Sequence, residues 1–133
     1  MSREIKFRVW HKPEKKMHSY LKAKFGKATN ITLEGKFRDV EQVTTKTVPN
    51  GALEVMQYTG LKDKKRTPEY PEGQEIFEGD VVSYRNRGNK PVGFLKGEFV
   101  LLNENGDFYD SVGAAHEECE VIGDIYSNPD LLK

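Results

Sequence analysis

The chain has 133 residues, of which 36% are hydrophobic, 11% aromatic and 32% charged. This composition predicts one ordinary domain or two very small ones, and it excludes wholesale disorder because disordered chains are poor in aromatic residues. The single cysteine, Cys119, excludes an intramolecular disulfide. No apolar stretch approaches the length of a signal peptide core or a membrane span, so we expect a cytoplasmic protein with no membrane contact.

The formal net charge of zero conceals an asymmetry between the two halves of the chain. Residues 1–70 hold 16 Lys and Arg against 8 Asp and Glu, whereas residues 71–133 hold 5 against 13. Such a division indicates a nucleic-acid surface, head-to-tail self-association or two halves that pack on each other. The alternative is that the charges form solvated faces with no specific partner, as most charged residues do.

The first half of the chain reads as a series of strands. REIKFRVW (3–10) alternates apolar and charged residues with a period of two, which is typical of a half-buried strand, and MHSYL (17–21) follows a polar turn as the returning strand. The β-branched residues of VEQVTTKTV (40–48) favour an extended segment. ALEVMQY (52–58) predicts a further strand that ends at Thr59-Gly60. Residues 1–61 are therefore expected to form a basic, β-rich region.

The segment 62–74 interrupts this pattern. It carries Pro68, Pro71 and Gly73, which exclude a regular helix or a central strand, and the charge balance changes sign along it. We therefore predict that residues 62–74 form a loop or linker between the N-terminal region and a C-terminal domain at 75–133.

The second half contains short strands separated by turns. Lys96-Gly97 predicts a tight hairpin between VGFL and EFVLL, and Gly123 predicts a bulge in the last strand. Residues 114–118 are compatible with one helical turn, and Asn128-Pro129 suits a capped turn at the C-terminus. Short strands with glycine turns and no long helix predict a mainly β protein with minor α content, built as a small barrel or sandwich.

Four stretches follow one another along the chain: REIKFRVWHKPEKKM, VMQYTGLKD, EIFEGDVVSY and CEVIGDIYSNPDLL. In this order they resemble the YopX family of bacteriophage and prophage proteins. The resemblance implies an SH3-like barrel in the C-terminal part, and it brings no catalytic residues with it. It also implies a protein derived from a phage or prophage that resides in a bacterial host.

The sequence offers little chemistry for catalysis or metal binding. HEEC (116–119) pairs His116 with Cys119, but a structural zinc site normally needs four ligands, and His11 and His18 have no matching spacing. The acidic neighbours of Cys119 oppose formation of a thiolate nucleophile. No P-loop, dinucleotide fingerprint or HExxH occurs. We therefore expect no enzyme activity, no metal and no cofactor.

A basic patch near the N-terminus is the main binding candidate. Residues 1–27 contain nine Lys and Arg and only two acidic residues, with aromatic residues among them. Such a mixture supplies phosphate contacts and surfaces for base stacking, whereas lysines can also simply keep an edge strand soluble. The candidate binding residues are Arg3, Lys6, Arg8, Trp10, Lys12, Lys15, Lys16, Lys22, Lys24 and Lys27.

These observations favour a binding protein over an enzyme. The first hypothesis is a protein that acts through protein–protein contacts, with a host factor or its own copies as partner, because edge strands accept added strands and opposite charges can pair between subunits. The alternative is a nucleic-acid-binding protein that uses the basic N-terminal patch.

Overall fold

The computed structural model of the chain describes residues 6–13, 15–20, 22–25, 30–37, 40–49 and 53–132. The protein is mainly β, as predicted, with antiparallel sheets and one short helix. It divides into two compact units, Met1–Gln57 and Tyr58–Lys133, and strand β6 (Leu53–Lys62) runs across this division. The predicted division at residues 62–74 remains a prediction.

In the first unit, β1 is the middle strand of an antiparallel group formed with β2 and the first half of β6. A second group is the meander β3–β4–β5, with an irregularity in register between Gly35 and Phe37. The predicted N-terminal hairpin is thus confirmed, although β1 begins at Phe7 and residues 3–5 lie outside the described residues. The bounds are β1 (Phe7–His11), β2 (Lys16–Tyr20), β3 (Lys22–Phe25), β4 (Asn30–Phe37) and β5 (Val40–Pro49).

The second unit is built on a five-stranded antiparallel sheet in the order β11-β10-β9-β8-β12. Strand β7 pairs instead with the second half of β6. The bounds are β7 (Glu75–Phe77), β8 (Asp80–Tyr84), β9 (Asn89–Leu95), β10 (Glu98–Leu102), β11 (Phe108–Ser111), helix α1 (Val112–Ala115) and β12 (Cys119–Asp124), with 3₁₀ turns at Arg85–Arg87, His116–Glu118 and Pro129–Leu132.

A cluster of buried residues lies on one face of this sheet. Val82, Val92 and Leu101 alternate with their strand neighbours to reach the same face, where Val121 of β12 lies beside Val82 and residues of α1 join the cluster. Leu61 packs on this cluster from the end of β6, which explains the apolar residue in the QYTGLKD stretch. The buried members are Ile76, Val82, Tyr84, Val92, Leu101, Val112, Ala115, Cys119 and Val121.

Several turns match the sequence predictions because glycine chemistry specifies them locally. Lys96 (φ 49°) and Gly97 (φ 83°) are both left-handed, as required by a two-residue hairpin that follows the twist of β9 and β10. The pairing of β12 with β8 shifts register between Val121 and Gly123, which confirms the predicted bulge.

The closed SH3-like barrel is not confirmed. Strands β11 and β12 are the two ends of the five-stranded sheet, and no sheet closes on itself in the part of the chain that the structure describes. The sheet is therefore open, and its two edges have different environments.

Candidate functional site

The β12 edge of the C-terminal sheet is covered by the segment that follows β6. The Lys64 backbone N–H donates to the Cys119 carbonyl oxygen at 2.9 Å. The Val121 backbone N–H donates to Asp63 Oδ2 at 2.8 Å, and Lys65 Nζ donates to the Val121 carbonyl oxygen at 2.6 Å. An uncovered edge presents unpaired N–H and C=O groups to other chains. On β12 the Cys119 carbonyl and both backbone groups of Val121 are occupied from within the unit.

Asp63 organises this cover. Its side chain has no exposed surface, and Oδ1 accepts the backbone N–H groups of Lys65 at 3.0 Å and Gln74 at 2.8 Å, in addition to the Val121 bond at Oδ2. Lys65 Nζ lies 3.8 Å from Oδ2 and also hydrogen-bonds Gln74 Oε1. A buried carboxylate is stable only when it is paired and hydrogen-bonded. Asp63 therefore fastens both ends of the 63–74 loop to β12.

Asp80 has a comparable role in the EGD turn. Its side chain is buried, and Oδ2 accepts the Phe77 backbone N–H at 2.8 Å across the turn that joins β7 to β8. Gly79 allows this turn because its φ is 86°. The Gly79 N–H donates to the Val92 carbonyl oxygen, while its own carbonyl accepts from Ile125. The Asp80 carboxylate of the EGD stretch thus stabilises the turn between β7 and β8.

The HEEC stretch does not form a paired nucleophile and base. His116 Nδ1 lies 2.7 Å from the Lys62 carbonyl oxygen, and because a carbonyl only accepts, the imidazole donates from Nδ1. Cys119 is 1% exposed in the core. Burial, and then the charge of Glu118, raises the pKa of the Cys119 thiol to about 11. Within the described residues, no group of three metal-ligating side chains occurs.

We expect the Cys119 thiol to be unreactive in the folded protein. With a pKa near 11 against 9.0 for an unperturbed thiol, the thiolate fraction at pH 8 falls by about 100-fold. Reaction with a disulfide reagent, compared with and without denaturant, measures this directly because the chain has one cysteine. Comparable rates in the two states would contradict it.

The same shift makes stability depend on pH. The pKa of Cys119 is higher in the folded protein than in the unfolded chain, so the unfolded chain loses the thiol proton first as the pH rises. The contribution of Cys119 to the free energy of unfolding is therefore present below pH 9 and is lost between about pH 9 and 11.

The opposite edge of the same sheet is formed by β11. Among the described strands, β11 pairs with β10 alone. Phe108 at the start of β11 is 54% exposed, which is the largest exposure among the bulky hydrophobic side chains that the structure describes. On β12, by comparison, Ile122 is 38% exposed, but the backbone around it is covered. The two edges therefore differ in the availability of backbone groups and of an apolar side chain.

The predicted basic patch is distributed over two groups of strands. Arg8 and Trp10 lie in β1, Lys12 and Lys15 lie in the turn that follows, and Lys16 begins β2. Lys6 precedes β1, and Lys22 and Lys24 are positions of β3, while Arg3 and Lys27 lie outside the described residues. The β1–β2 hairpin thus brings five of the ten residues together, and their role in binding remains a prediction.

Two details of this hairpin bear on nucleic-acid binding. Trp10 is only 9% exposed, so its ring is packed inside and offers little surface for a base to stack on. Lys12 Nζ lies 2.9 Å from Glu54 Oε1 on β6. Lys12 and Lys15 are nevertheless exposed at the tip, where they can reach phosphate groups.

Together these features define a mainly β protein of antiparallel sheets whose described buried carboxylates, Asp63 and Asp80, hold backbone groups. The chain belongs to the YopX family, since the family model described as YopX protein matches residues 6–133. In the part of the chain that the structure describes, no helix has the length and hydropathy of a membrane span.

Two of the solved structures that share this fold come from Enterococcus faecalis and Bacillus subtilis. One is the crystal structure of protein EF1440 from Enterococcus faecalis, with 25% sequence identity, a TM-score of 0.65 and coverage of 99% of this chain and 100% of that one. The other is the crystal structure of protein yopX from Bacillus subtilis, with 23% identity, a TM-score of 0.58 and coverage of 96% and 95%. The comparison with curated proteins finds no match.

Proposed function

We propose that this protein is a non-catalytic binding protein that acts through protein–protein contacts. The observation that carries the proposal is the difference between the two edges of the C-terminal sheet. The β12 edge is covered by Asp63, Lys64 and Lys65, whereas β11 has an exposed Phe108 and no strand beyond it among the described residues.

The β11 edge has the chemistry of strand addition. A partner segment in extended conformation can bond to the free side of an edge strand, and a neighbouring apolar side chain adds area to the contact. Aromatic side chains are enriched in protein–protein interfaces because they bury a large area with few rotatable bonds. Phe108 is placed to make such a contact at one end of β11.

The charge asymmetry supports a second copy of the chain as one form of the partner. A surplus of eight positive charges in residues 1–70 matches a deficit of eight in residues 71–133. Such complementarity steers association and weakens as salt is added. The family resemblance supports a bacterial cytoplasmic setting for a phage- or prophage-derived protein, where a host factor is the other form of the partner.

Substitution of Phe108 by Ser tests this proposal. Full-length protein is used to capture partners from a nuclease-treated lysate of Bacillus subtilis, the source of one structural neighbour. We expect Phe108→Ser to reduce the captured partner by at least about tenfold, because aromatic anchors carry much of the free energy of binding. Light scattering at about 50 and 500 mM salt tests association with a second copy.

Ile122→Ser is the matched control, because it removes an exposed apolar side chain from the covered β12 edge. We expect it to capture the partner as the wild type does, and both variants should retain the wild-type unfolding midpoint. Equal capture by Phe108→Ser and wild type contradicts the proposal. A protein that captures nothing and is monomeric at both salt concentrations contradicts it as well.

Nucleic-acid binding by the N-terminal hairpin is the second candidate function. The exposed positions of Lys12 and Lys15 at the β1–β2 turn favour it. Fluorescence anisotropy with single- and double-stranded oligonucleotides at about 50 mM salt tests it, because phosphate contacts are strongest at low salt. Absence of binding under these conditions rules this candidate out.

A further inference from the structure

The acidic half of the chain, residues 71–133, contains a cluster of basic residues formed by Arg85, Arg87 and Lys90. Residues 71–133 hold only five Lys and Arg, and three of them fall within these six positions. Arg85 forms an ion pair with Glu118. For Arg87 and Lys90, by contrast, no carboxylate lies within ion-pair distance among the described residues, and both are in contact with tyrosine rings instead.

The two tyrosine rings hold these cations in place. Lys90 Nζ lies 4.4 Å from the centroid of the Tyr109 ring, and Arg87 Cζ lies 5.4 Å from that of Tyr84. The neighbouring Tyr109 hydroxyl also raises the pKa of Arg87. The faces of aromatic rings attract cations, and a cation already fixed on a ring loses less conformational freedom when it binds an anion.

The tyrosines are themselves fixed by the sheet. The Tyr84 hydroxyl donates to Asp110 Oδ2 at 2.7 Å, and the two rings meet edge to face with centroids 6.2 Å apart. This bond to Asp110, followed by burial, raises the pKa of Tyr84. Between Leu101 and Leu102, the β10–β11 register shifts, so that β11 has one extra residue opposite them, and Tyr109 lies in this irregular part.

The loop between β8 and β9 positions the cations. Arg85 (φ 49°) and Gly88 (φ 91°) are both in the left-handed region, and the Tyr84 N–H donates to the Gly88 carbonyl oxygen at 3.0 Å. A left-handed arginine is uncommon, since most side chains disfavour this conformation. The tight loop carries Arg87, which lies against the Tyr84 ring, and leads into β9, where Lys90 contacts the Tyr109 ring.

We propose that Arg87 and Lys90 bind a carboxylate-bearing side chain of a partner polypeptide whose strand runs along β11. This inference rests on the proposed function and names the chemistry of the partner. Tyr109 belongs to β11 and follows Phe108 directly, so a segment paired with this edge runs beside the residue whose ring contacts Lys90. The planar guanidinium of Arg87 has the geometry to bind a carboxylate through two hydrogen bonds.

The local charge favours a short acidic segment over a nucleic acid. The cluster has three positive charges, those of Arg85, Arg87 and Lys90. Two negative charges lie near them, on the carboxylates of Asp110 and Glu118, and both carboxylates are already hydrogen-bonded. The surplus of a single positive charge suits one anionic group, whereas nucleic acid requires contacts to many phosphates. The other charges of this half are mainly acidic and would repel a longer polyanion.

The test uses the full chain and a capped (Glu-Thr)₃ peptide, with capped (Gln-Thr)₃ as the neutral control peptide. Binding is followed by NMR at about 50 mM salt, from the amide signals of β11 and the side-chain signals of Arg87. We expect the acidic peptide to bind at least about tenfold more tightly than the neutral one. Arg87→Gln/Lys90→Gln is expected to abolish this difference while the unfolding midpoint stays unchanged.

Lys96→Gln is the control variant, because it removes a single positive charge from the exposed β9–β10 turn, away from the two tyrosine rings. It should leave the preference for the acidic peptide intact. Equal binding of the two peptides, or a preference that persists in the double variant, overturns the inference. Tighter binding of inorganic phosphate or a ten-nucleotide single strand at Arg87 and Lys90 overturns it too. If the peptide fails while lysate capture still depends on Phe108, this inference falls and the proposed function stands.

Discussion

Asp63→Ala is expected to lower the free energy of unfolding of the C-terminal unit by about 3–5 kcal/mol. The substitution leaves three backbone N–H groups, those of Lys65, Gln74 and Val121, without the carboxylate that accepts them. It also removes the carboxylate that pairs with the largely buried Lys65 ammonium, which keeps only neutral hydrogen-bond acceptors. Loss of one member of a buried ion pair is strongly destabilising, and each orphaned buried group adds to the penalty.

Denaturant unfolding followed by far-ultraviolet circular dichroism measures this loss, and amide hydrogen exchange at Val121 and Gln74 locates it. Asp63→Asn should lie between wild type and Asp63→Ala, because its amide oxygen still accepts while its NH₂ group faces a donor. Asp107→Asn is the control, since Asp107 is an exposed turn residue, and it should change stability by less than about 0.5 kcal/mol. A loss below about 1 kcal/mol for Asp63→Ala would mean that the carboxylate does not hold the loop.

Gly73→Ala is expected to destabilise the same unit by about 2–4 kcal/mol. Gly73 has a φ of 100°, which L residues with a side chain disfavour. An added Cβ would also lie 2.4 Å from the Asp63 carbonyl oxygen and 3.1 Å from Lys62 Cβ. Since a backbone oxygen cannot rotate away, the loop would have to open next to the Asp63–Gln74 hydrogen bonds.

Gly106→Ala separates the two contributions. Gly106 has a φ of 81° but no atom within 4 Å of an added Cβ, so its substitution introduces the backbone strain alone, about 1–2 kcal/mol. We expect Gly73→Ala to exceed it clearly in the same denaturation experiment. Equal losses would show that the close approach to Asp63 has no energetic consequence.

Local signals in the sequence account for much of the C-terminal fold. Lys96-Gly97 predicted a hairpin because glycine and the twist of paired strands restrict two-residue turns, and Gly123 predicted the bulge in the last strand. The helical turn predicted at 114–118 occurs as α1 followed by the 3₁₀ turn His116–Glu118. In each case the deciding interactions join residues close in the chain.

Long-range contacts could not be predicted in the same way. Pro68, Pro71 and Gly73 lie in the irregular backbone that joins β6 to β7, but composition does not say which distant groups that backbone meets. The Asp63 carboxylate bonds Val121, 58 positions away. Closure of the barrel also depends on whether two distant strands pair, and here β11 and β12 remain separate ends.

The binding surface shows the same limit. The sequence directs attention to the N-terminal lysines because they are numerous, whereas the structure draws attention to Arg87 and Lys90 because of the rings beneath them. The sequence did contain an indication of the Arg87 and Lys90 cluster, because the segment RNRGNK (85–90) is basic whereas the rest of residues 71–133 is mainly acidic. Its contact with Tyr109, about twenty positions away, was not visible in the sequence.

The comparison of Phe108→Ser with Ile122→Ser in nuclease-treated lysate tests most directly whether β11 is the edge through which the protein binds. The two variants remove exposed apolar side chains from opposite edges of one sheet. We predict that the captured partner falls at least about tenfold with Phe108→Ser and is unchanged with Ile122→Ser. Capture that is unaffected by Phe108→Ser, or lost equally with both variants, would contradict the account.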